Sequence, residues 1–203
     1  MNSTEIEKGI NHIYINDINL AKIIDKPEPC SFSHKRNYYD MLLRSIIQQQ
    51  LSISSAAAIQ RKFLNYFDNK PLPKEILKTS HDELRSLGLS NAKAKYVKDL
   101  SEKVLSEEIK FIGLGKKSDR EIIENLIKVK GIGEWTAHMF LIFTLGRLNV
   151  LPVGDSGLKR AVMNVYGLRK MPDEKKILNI SKANCWNPYN SIASWYLWKS
   201  LEL

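Results

Sequence analysis

The sequence predicts an all-α fold. Apolar residues recur at helical spacing along most of the 203 residues, and no segment shows the strict apolar–polar alternation of a strand series. Two capping-box sequences, which begin at Ser80 and Ser118, mark the starts of helices, and glycines follow several of the apolar runs. A chain of this length can bury a hydrophobic core as one compact domain or as two small lobes.

The first half of the chain contains a long helical segment with one interruption. Apolar positions follow helical spacing over 37–67, but the polar stretch 48–52 breaks that pattern and predicts a turn between two helices. The Pro-x-Pro sequence at 71–73 then marks a break in the helical pattern. The helix that begins after Ser80 is predicted to end at Gly88.

The second half of the chain contains a pair of helices joined by a short turn, and further helices follow. The capping box at 118–121 opens an apolar helix that ends at Lys130, and a Gly-x-Gly turn leads into a helix over 134–145. The remaining predicted elements are a loop over 146–154, a helix over 156–167, a helix with Pro172 in its first turn and a last helix from about Pro188.

Charge limits the functional classes. The chain carries 31 Lys and Arg against 22 Asp and Glu, a formal charge of +9, which indicates a polyanionic partner, nucleic acid before an acidic membrane. From charge alone, a basic protein without a specific partner remains an alternative. The chain has no run of about 18 uncharged apolar residues that would span a membrane. Its polar N-terminus lacks the apolar core of a signal peptide, so we expect the protein to stay where it is made.

The cysteine content excludes some metal chemistry. Cys30 and Cys185 are too few for a four-cysteine iron–sulfur cluster and too far apart in sequence for a cysteine-rich metal site. We expect both to be free, buried thiols, with a single disulfide as the alternative.

The most informative motif is the turn Gly131–Ile132–Gly133 between two predicted helices. It places several backbone N–H groups at a helix N-terminus, and the two glycines let a phosphate approach the backbone where the helix dipole favours an anion. A helix-hairpin-helix holds the DNA backbone in this way without reading its sequence. From the turn alone, a tight helix–helix connection with glycines for packing remains the alternative.

The second motif is an aspartate, Asp155, directly before a predicted helix. An Asp at this place is most often an N-cap. The dipole of the helix also favours the charged carboxylate, which a role in stabilising a developing cation requires. Lys159 and Arg160 follow one turn later, where they are placed to contact phosphates.

Taken together, these motifs resemble a known family. The segments "VKGIGEWTAHMFLIF" and "VLPVGDSGLKR" resemble the helix-hairpin-helix and the Gly/Pro loop with its Asp in the endonuclease III superfamily of DNA glycosylases. "RSIIQQQLSISSAAAI" is similar to that family's segment entering the DNA minor groove, and "LGLSNAKAKYVKDLS" to its following helix pair. "NPYNSIASWYLW" resembles the C-terminal helix of the alkylbase branch, the 3-methyladenine DNA glycosylase II type. The matches run from about Arg44 to Trp198.

The resemblance implies two helical lobes with a DNA-binding cleft between them. One lobe would comprise 37–145 and contain the helix-hairpin-helix over 122–145. The other would comprise 1–36 and 146–203 and carry the loop with Asp155 into the cleft.

The resemblance also implies a reaction. Bifunctional members carry a nucleophilic Lys where this chain has Trp135, so a monofunctional hydrolase without lyase activity is expected. It would flip an alkylated purine, of the 3-methyladenine or 7-methylguanine type, out of duplex DNA and hydrolyse its N-glycosidic bond in base excision repair. Asp155 would stabilise the oxocarbenium-like sugar, orient water, or do both.

The family segment suggests further site residues. Gln49, Gln50 and Leu51 would fill the space vacated by the flipped base, with Gln50 as the wedge and Leu51 as the alternative wedge. The implied base-pocket residues are Trp135, Gln49, Met139 and His138, and the implied DNA-contacting residues are Gly131, Ile132, Gly133, Gln50, Leu51, Ser52, Lys159 and Arg160. Met139 stands where the family can carry an aromatic residue, and an ordinary half-buried histidine is the alternative for His138.

The resemblance implies no redox cofactor and no catalytic metal. It does imply a structural Na⁺ or K⁺ bound by the backbone carbonyls of Ile127, Val129 and Gly131. We expect a monomer whose partner is double-stranded DNA containing a damaged base, with no membrane association. It would act in the cytoplasm, on the nucleoid of a prokaryote or in the nucleus of a eukaryote. The basic run Lys93, Lys95 and Lys98 is interpreted as a solvated helix face.

Two alternatives to this function remain open from the sequence. One is a glycosylase for another lesion, such as oxidised guanine, hypoxanthine or an etheno adduct. The other is a noncatalytic protein of the same fold that binds damaged DNA.

Overall fold

A computed structural model describes residues 3–25, 30, 32 and 37–202 of the protein. Within these ranges the chain is α-helical, with one short 3₁₀ turn at Leu114–Lys116 and no β-strand, which confirms the predicted fold class. The helices are α1 (Ser3–Asn16), α2 (Ile18–Ile24), α3 (Tyr38–Gln48), α4 (Ile53–Tyr66), α5 (Pro73–Lys78), α6 (His81–Ser86), α7 (Asn91–Leu105), α8 (Asp119–Leu126), α9 (Glu134–Phe143), α10 (Ser156–Val165), α11 (Glu174–Ala183) and α12 (Asn190–Lys199).

The chain divides into two compact units. One comprises residues 1–34 and 141–203, and the other comprises residues 35–140. The change from one to the other falls within α9. The cleft that the resemblance implies stays a prediction.

The 35–140 unit is organised around α7. Helices α3, α5 and α6 all pack against α7, and α3 also packs against α4. The apolar face that the sequence predicts for α3 is buried, because its apolar residues recur at three- and four-residue intervals. The completely buried side chains of this unit include Leu42, Ile46, Ile76, Leu84, Val97, Leu100, Ile122 and Leu126.

The other unit is organised around α12, which contacts α1, α2 and α10. This helix is buried on several sides, although it contains two serines and an asparagine among its first five residues. Those polar groups are satisfied internally: Ser191 donates through its hydroxyl to the carbonyl of Arg147 at 2.7 Å and accepts from the amide of Val150 at 2.9 Å. The buried polar residues therefore join α12 to the loop that follows α9.

A second buried polar group is the carboxylate of Asp17. It is completely buried and caps α2, with Oδ1 accepting from the amides of Asn19 and Leu20. Its Oδ2 accepts from the indole N–H of Trp186 at 2.7 Å and from the hydroxyl of Tyr166. Burial is the main cause that raises the pKa of the Tyr166 phenol, and the neighbouring Asp17 carboxylate raises this pKa further. The phenol therefore remains a hydrogen-bond donor. Four hydrogen bonds thus compensate the desolvation of one carboxylate.

The helix starts predicted from capping boxes are confirmed. Ser80 and Ser118 each accept from the amide three residues later, and the glutamate there bonds back to the serine amide. The helix predicted over 134–145 ends two residues earlier, at Phe143.

Three local predictions are wrong. Pro172 lies before the helix rather than in its first turn, because Asp173 caps α11 through the amide of Lys176. The last helix begins at Asn190, not at Pro188. Cys185 is exposed; both cysteines are free thiols, and only Cys30 is buried.

No helix among the described residues combines the length and apolar character needed to cross a membrane.

We expect Asp17→Ala to lower the free energy of unfolding by about 2 to 6 kcal/mol, at about 1 to 3 kcal/mol for each of the two side-chain donors left without an acceptor. Urea unfolding measures this loss. The matched control is Asp173→Ala, which removes an exposed N-cap and should lower stability by about 1 kcal/mol. Equal losses for the two variants would contradict a special role of the buried network.

Candidate functional site

The two glycines of the turn between α8 and α9 serve different purposes. Gly131 has a φ of +83°, and a Cβ placed on it would lie 2.2 Å from the ring of Tyr96 in α7. Both the backbone conformation and the packing against Tyr96 therefore require glycine at 131. Gly133 is exposed, its φ lies outside the left-handed region, and a Cβ placed there would meet no atom within 4 Å. Nothing within the protein requires glycine at 133, which leaves the backbone there open to an external group.

The carboxylate of Asp99 in α7 holds the same turn. Its Oδ2 accepts a hydrogen bond from the backbone amide of Lys130 at 2.9 Å, and the carboxylate is almost completely buried. The ammonium groups of Lys130 and Lys103 lie 3.4 Å and 3.7 Å from Oδ1. Ile132 is also buried in the turn, and its backbone amide donates to the carbonyl of Val129 at 3.0 Å. The turn is therefore held from inside by α7.

The turn between α3 and α4 projects a set of exposed side chains. We call Gln49, Gln50 and Leu51 the wedge turn. Gln50 is exposed and has a φ of +53°, which is uncommon for a residue other than glycine, and Leu51 is also exposed. Ser52 caps α4, and Ile53, the first residue of that helix, is 92% exposed. No local pattern singles out Ile53, because the exposure of an apolar residue at a helix start depends on tertiary packing.

The wedge turn is tied to the hairpin turn and to α7. The side-chain amide of Gln49 donates to the carbonyl of Gly131 at 2.8 Å. The ammonium of Lys93 donates to the carbonyl of Ile47 at 2.8 Å and to that of Gln49 at 2.6 Å. Burial lowers the pKa of Lys93. The structure thus brings Gln49 and Gly131, two predicted site residues, into direct contact.

These contacts correct the interpretation of the basic run on α7. Lys93 is not part of a solvated face, because its ammonium is bound to two backbone carbonyls and is half-buried. Lys98 lies 3.4 Å from the carbonyl of Leu77, and Lys95 is the exposed member of the three.

Asp155 is an N-cap whose carboxylate also accepts a hydrogen bond from a distant side chain. Its Oδ1 accepts from the backbone amide of Leu158 at 2.5 Å, as the sequence predicts for an N-cap. The same oxygen accepts from the indole N–H of Trp198 at 2.8 Å. The carboxylate is partly exposed and is oriented by two donors, one from α10 and one from α12.

Aromatic side chains surround that contact. The ring of Phe143 lies 5.8 Å from that of Trp198 and 6.3 Å from that of Phe32, and Phe143 is 37% exposed. Two other C-terminal aromatic side chains, Trp186 and Tyr196, are completely buried and belong to the core. The hydrogen bond of Trp198 to Asp155 was missed, because no local spacing relates residues 43 positions apart.

The first turns of α9 carry the predicted pocket residues. Trp135 is 48% exposed, which is unusual for so large an aromatic side chain, while Met139 and His138 are half-buried. Burial lowers the pKa of His138, against the opposing effect of the carboxylates of Glu134 and Asp119. His138 therefore favours the neutral imidazole near pH 7.

The remaining predicted site residues lie in α10 and just after α8. Lys159 and Arg160 are in the first turns of α10, the helix that Asp155 caps, and Arg160 is exposed. Ile127 is the C-cap of α8, and the carbonyl of Val129 accepts from the amide of Ile132 at 3.0 Å. Across the described ranges, no group of three or more His, Cys, Asp or Glu side chains is arranged to hold a metal ion.

Comparison with known proteins gives consistent matches. Residues 43–186 match the family model described as HhH-GPD superfamily base excision DNA repair protein. The chain is 31% identical to the alkylbase DNA glycosidase-like protein mag2 of Schizosaccharomyces pombe, covering 98% of this chain and 96% of that protein.

Two solved structures are similar over nearly their whole length. The 3-methyladenine DNA glycosylase Mag1 of Schizosaccharomyces pombe, in complex with abasic DNA, superposes with a TM-score of 0.85 at 30% identity, covering 97% of both chains. A DNA-3-methyladenine glycosidase from Bacillus halodurans superposes with a TM-score of 0.82 at 36% identity, covering 95% of this chain and 88% of that one.

Proposed function

Because the chain belongs to the HhH-GPD superfamily of base excision DNA repair proteins, we propose that it is a monofunctional alkylbase DNA glycosylase. Its substrate is duplex DNA that contains an alkylated purine, and its products are the free base and an unnicked abasic site. It acts on genomic DNA as a monomer. The observation that carries this proposal is the carboxylate of Asp155, oriented at a helix N-terminus by the amide of Leu158 and the indole of Trp198.

The role of Asp155 follows from the charge that the reaction develops. Breaking the N-glycosidic bond leaves positive charge on the sugar, and a preoriented carboxylate stabilises that charge without reorganising during the reaction. The donors to Oδ1 of Asp155 fix the orientation of its carboxylate. Water attacks the sugar carbon that the base leaves. A purine alkylated at N3 or N7 is already cationic and leaves readily, so no strong general acid is needed.

The aromatic side chains suit a cationic base. An electron-rich ring attracts a cation over its face by about 0.5 to 2 kcal/mol. Trp135 is half exposed two residues after the open backbone of Gly133, which supports a stacking role for it. No amine nucleophile occupies position 135, so the reaction stops at the abasic site.

Backbone groups of the hairpin turn hold the DNA phosphates in this proposal. Gly133 precedes α9, whose N-terminus favours an anion, and the absence of a Cβ lets a phosphate approach. Lys159 and Arg160 add phosphate contacts, and the wedge turn enters the space left by the flipped base. None of these contacts depends on base sequence.

We also propose that the carbonyls of Ile127, Val129 and Gly131 hold a Na⁺ or K⁺. Neutral carbonyl oxygens suit a monovalent cation. The carbonyls of Val129 and Gly131 each accept one hydrogen bond, from Ile132 and Gln49, and each oxygen has a second lone pair. Ile127 is a C-cap, where helical carbonyls lack their usual partner.

We expect Asp155→Asn to abolish base release while leaving the fold intact. The Asn oxygen can still accept from Leu158 and Trp198, but the negative charge is lost, so the rate should fall at least about 100-fold. The assay is release of free 3-methyladenine and 7-methylguanine from methylated duplex DNA, with abasic sites counted after alkali. Asp173→Asn, at the exposed N-cap of α11, is the matched control and should retain full activity. Wild-type protein that binds damaged duplex but releases no base would favour the noncatalytic alternative.

Gly133→Val should weaken binding to undamaged duplex at least about tenfold, which corresponds to about 1.4 kcal/mol. The added side chain blocks the approach of a phosphate, so the slope of log affinity against log salt should also fall by about 1. Stability should change by no more than about 1 kcal/mol, because a Cβ at this exposed position meets no atom within 4 Å. Gly131→Ala should behave in the opposite way and mainly destabilise the protein, because of the ring of Tyr96. Comparable losses of stability in the two variants would indicate that both glycines serve packing.

Replacing K⁺ and Na⁺ with choline at constant ionic strength should weaken duplex binding several-fold, because the hairpin carbonyls lose their cation. Fluorescence anisotropy with labelled duplex measures the affinity. Identical affinity in choline, K⁺ and Na⁺ would rule out the cation site.

A further inference from the structure

Three side chains of α7 hold the two turns that the proposed function assigns to DNA. Lys93 binds the carbonyls of Ile47 and Gln49, Tyr96 packs on Gly131, and Asp99 accepts from the amide of Lys130. Residues three apart lie on one side of a helix, so α7 presents these three groups along one face. The same helix therefore supports the wedge turn and the hairpin turn.

The contacts of Lys93 satisfy a specific structural need. The last carbonyls of α3 have no helical partner, and a cation there is favoured by the helix dipole. The ammonium of Lys93 supplies two donors, at 2.8 Å to Ile47 and 2.6 Å to Gln49. The following residue, Gln50, has a φ of +53°, a conformation that side chains other than glycine seldom adopt unless their surroundings impose it.

Gln49 connects the two turns directly. Its carbonyl accepts from Lys93, and its side-chain amide donates to the carbonyl of Gly131. A displacement of the C-terminal end of α3 would thus move the wedge turn and break its contact with the hairpin. Lys93 therefore bonds the backbone immediately before Gln50, at the residue that also contacts the hairpin turn.

We propose that Lys93 is a positioning residue for base flipping: by holding the carbonyls of Ile47 and Gln49 it prefolds the wedge turn at a fixed place beside the hairpin turn. This rests on the glycosylase activity proposed above. Lys93 contacts neither the lesion nor the phosphates. It lowers the entropic cost of inserting the wedge, because the turn is ordered before DNA arrives.

The position of the wedge turn affects base flipping and not the cleavage of the glycosidic bond. A lesion paired with cytosine must be unpaired and replaced in the stack, so its release depends on the wedge turn. The same lesion opposite an abasic-site analogue has no pairing partner to leave and depends on the wedge much less. A loss of overall stability would affect both substrates equally.

The test compares Lys93→Met with Lys95→Met under single-turnover conditions. Lys95 is exposed two residues away, so its replacement removes the same charge without touching the wedge turn. The substrates carry one 7-methylguanine, opposite either cytosine or a tetrahydrofuran. A 2-aminopurine next to the lesion reports flipping independently of bond cleavage, and urea unfolding reports stability.

We expect Lys93→Met to slow release from the paired substrate at least about tenfold, and from the unpaired substrate less than about threefold. The 2-aminopurine signal should fall in parallel with the paired rate. Lys93→Arg, which keeps a cationic donor, should recover most of the loss, and Lys95→Met should match wild type. Lys93→Gln, which keeps a neutral amide donor group, should be intermediate and serves if the Met variant does not fold.

Equal slowing on both substrates, or no slowing on either, would overturn the proposal. If the wild type gives the 2-aminopurine signal but releases no base, the proposed enzymatic function fails. The role of Lys93 is then decided by the fluorescence of the variants alone.

Discussion

Unpaired backbone groups at helix ends are the constraint on which this structure depends. Its helices are short, so much of the backbone lies in first and last turns, where amides and carbonyls lack helical partners. Most N-termini are capped by a nearby side chain, at Asp17, Asn37, Ser52, Ser80, Ser90, Ser118, Asp155 and Asp173. In the turns assigned to DNA, distant side chains such as Lys93 and Asp99 satisfy the backbone instead. These two long-range polar contacts fix the wedge turn and the hairpin turn against α7.

Two aspartates share the same local arrangement, one in the core and one at the site to which we assign the chemistry. Asp17 and Asp155 both cap a helix and both accept an indole N–H, from Trp186 and Trp198. Asp17 is completely buried and also accepts from Tyr166, the residue at the C-terminal end of α10, whereas Asp155 caps the N-terminal end of that helix and stays partly exposed. Carboxylates thus contact both ends of helix α10. The buried one, Asp17, is closed to solvent, whereas Asp155 stays accessible.

The sequence predicted the helices, the hairpin and the N-cap position of Asp155, because these features depend on residues a few positions apart. It did not predict the contacts of Lys93 and Trp198, since their partners lie 44 and 43 positions away. Local charge patterning even gave the wrong reading of Lys93, because a lysine on a helix is usually solvated. Likewise, the hydrophobic pattern of α12 gives little sign that its serines are buried. The helices follow from interactions between residues close in sequence, whereas the side chains that position the site residues do so through tertiary contacts.

The open backbone at Gly133 has a consequence for how a lesion is found. A contact made by peptide amides to phosphates has the same strength at every base pair, so moving by one step costs no net free energy. In the proposed complex, where the hairpin amides hold the phosphates, the hairpin would therefore permit one-dimensional diffusion along the duplex while the protein stays bound. Damaged and normal bases would then be distinguished only while a base is flipped out of the stack. The hairpin would set the rate of the search along DNA, and the base pocket would set the accuracy of lesion recognition.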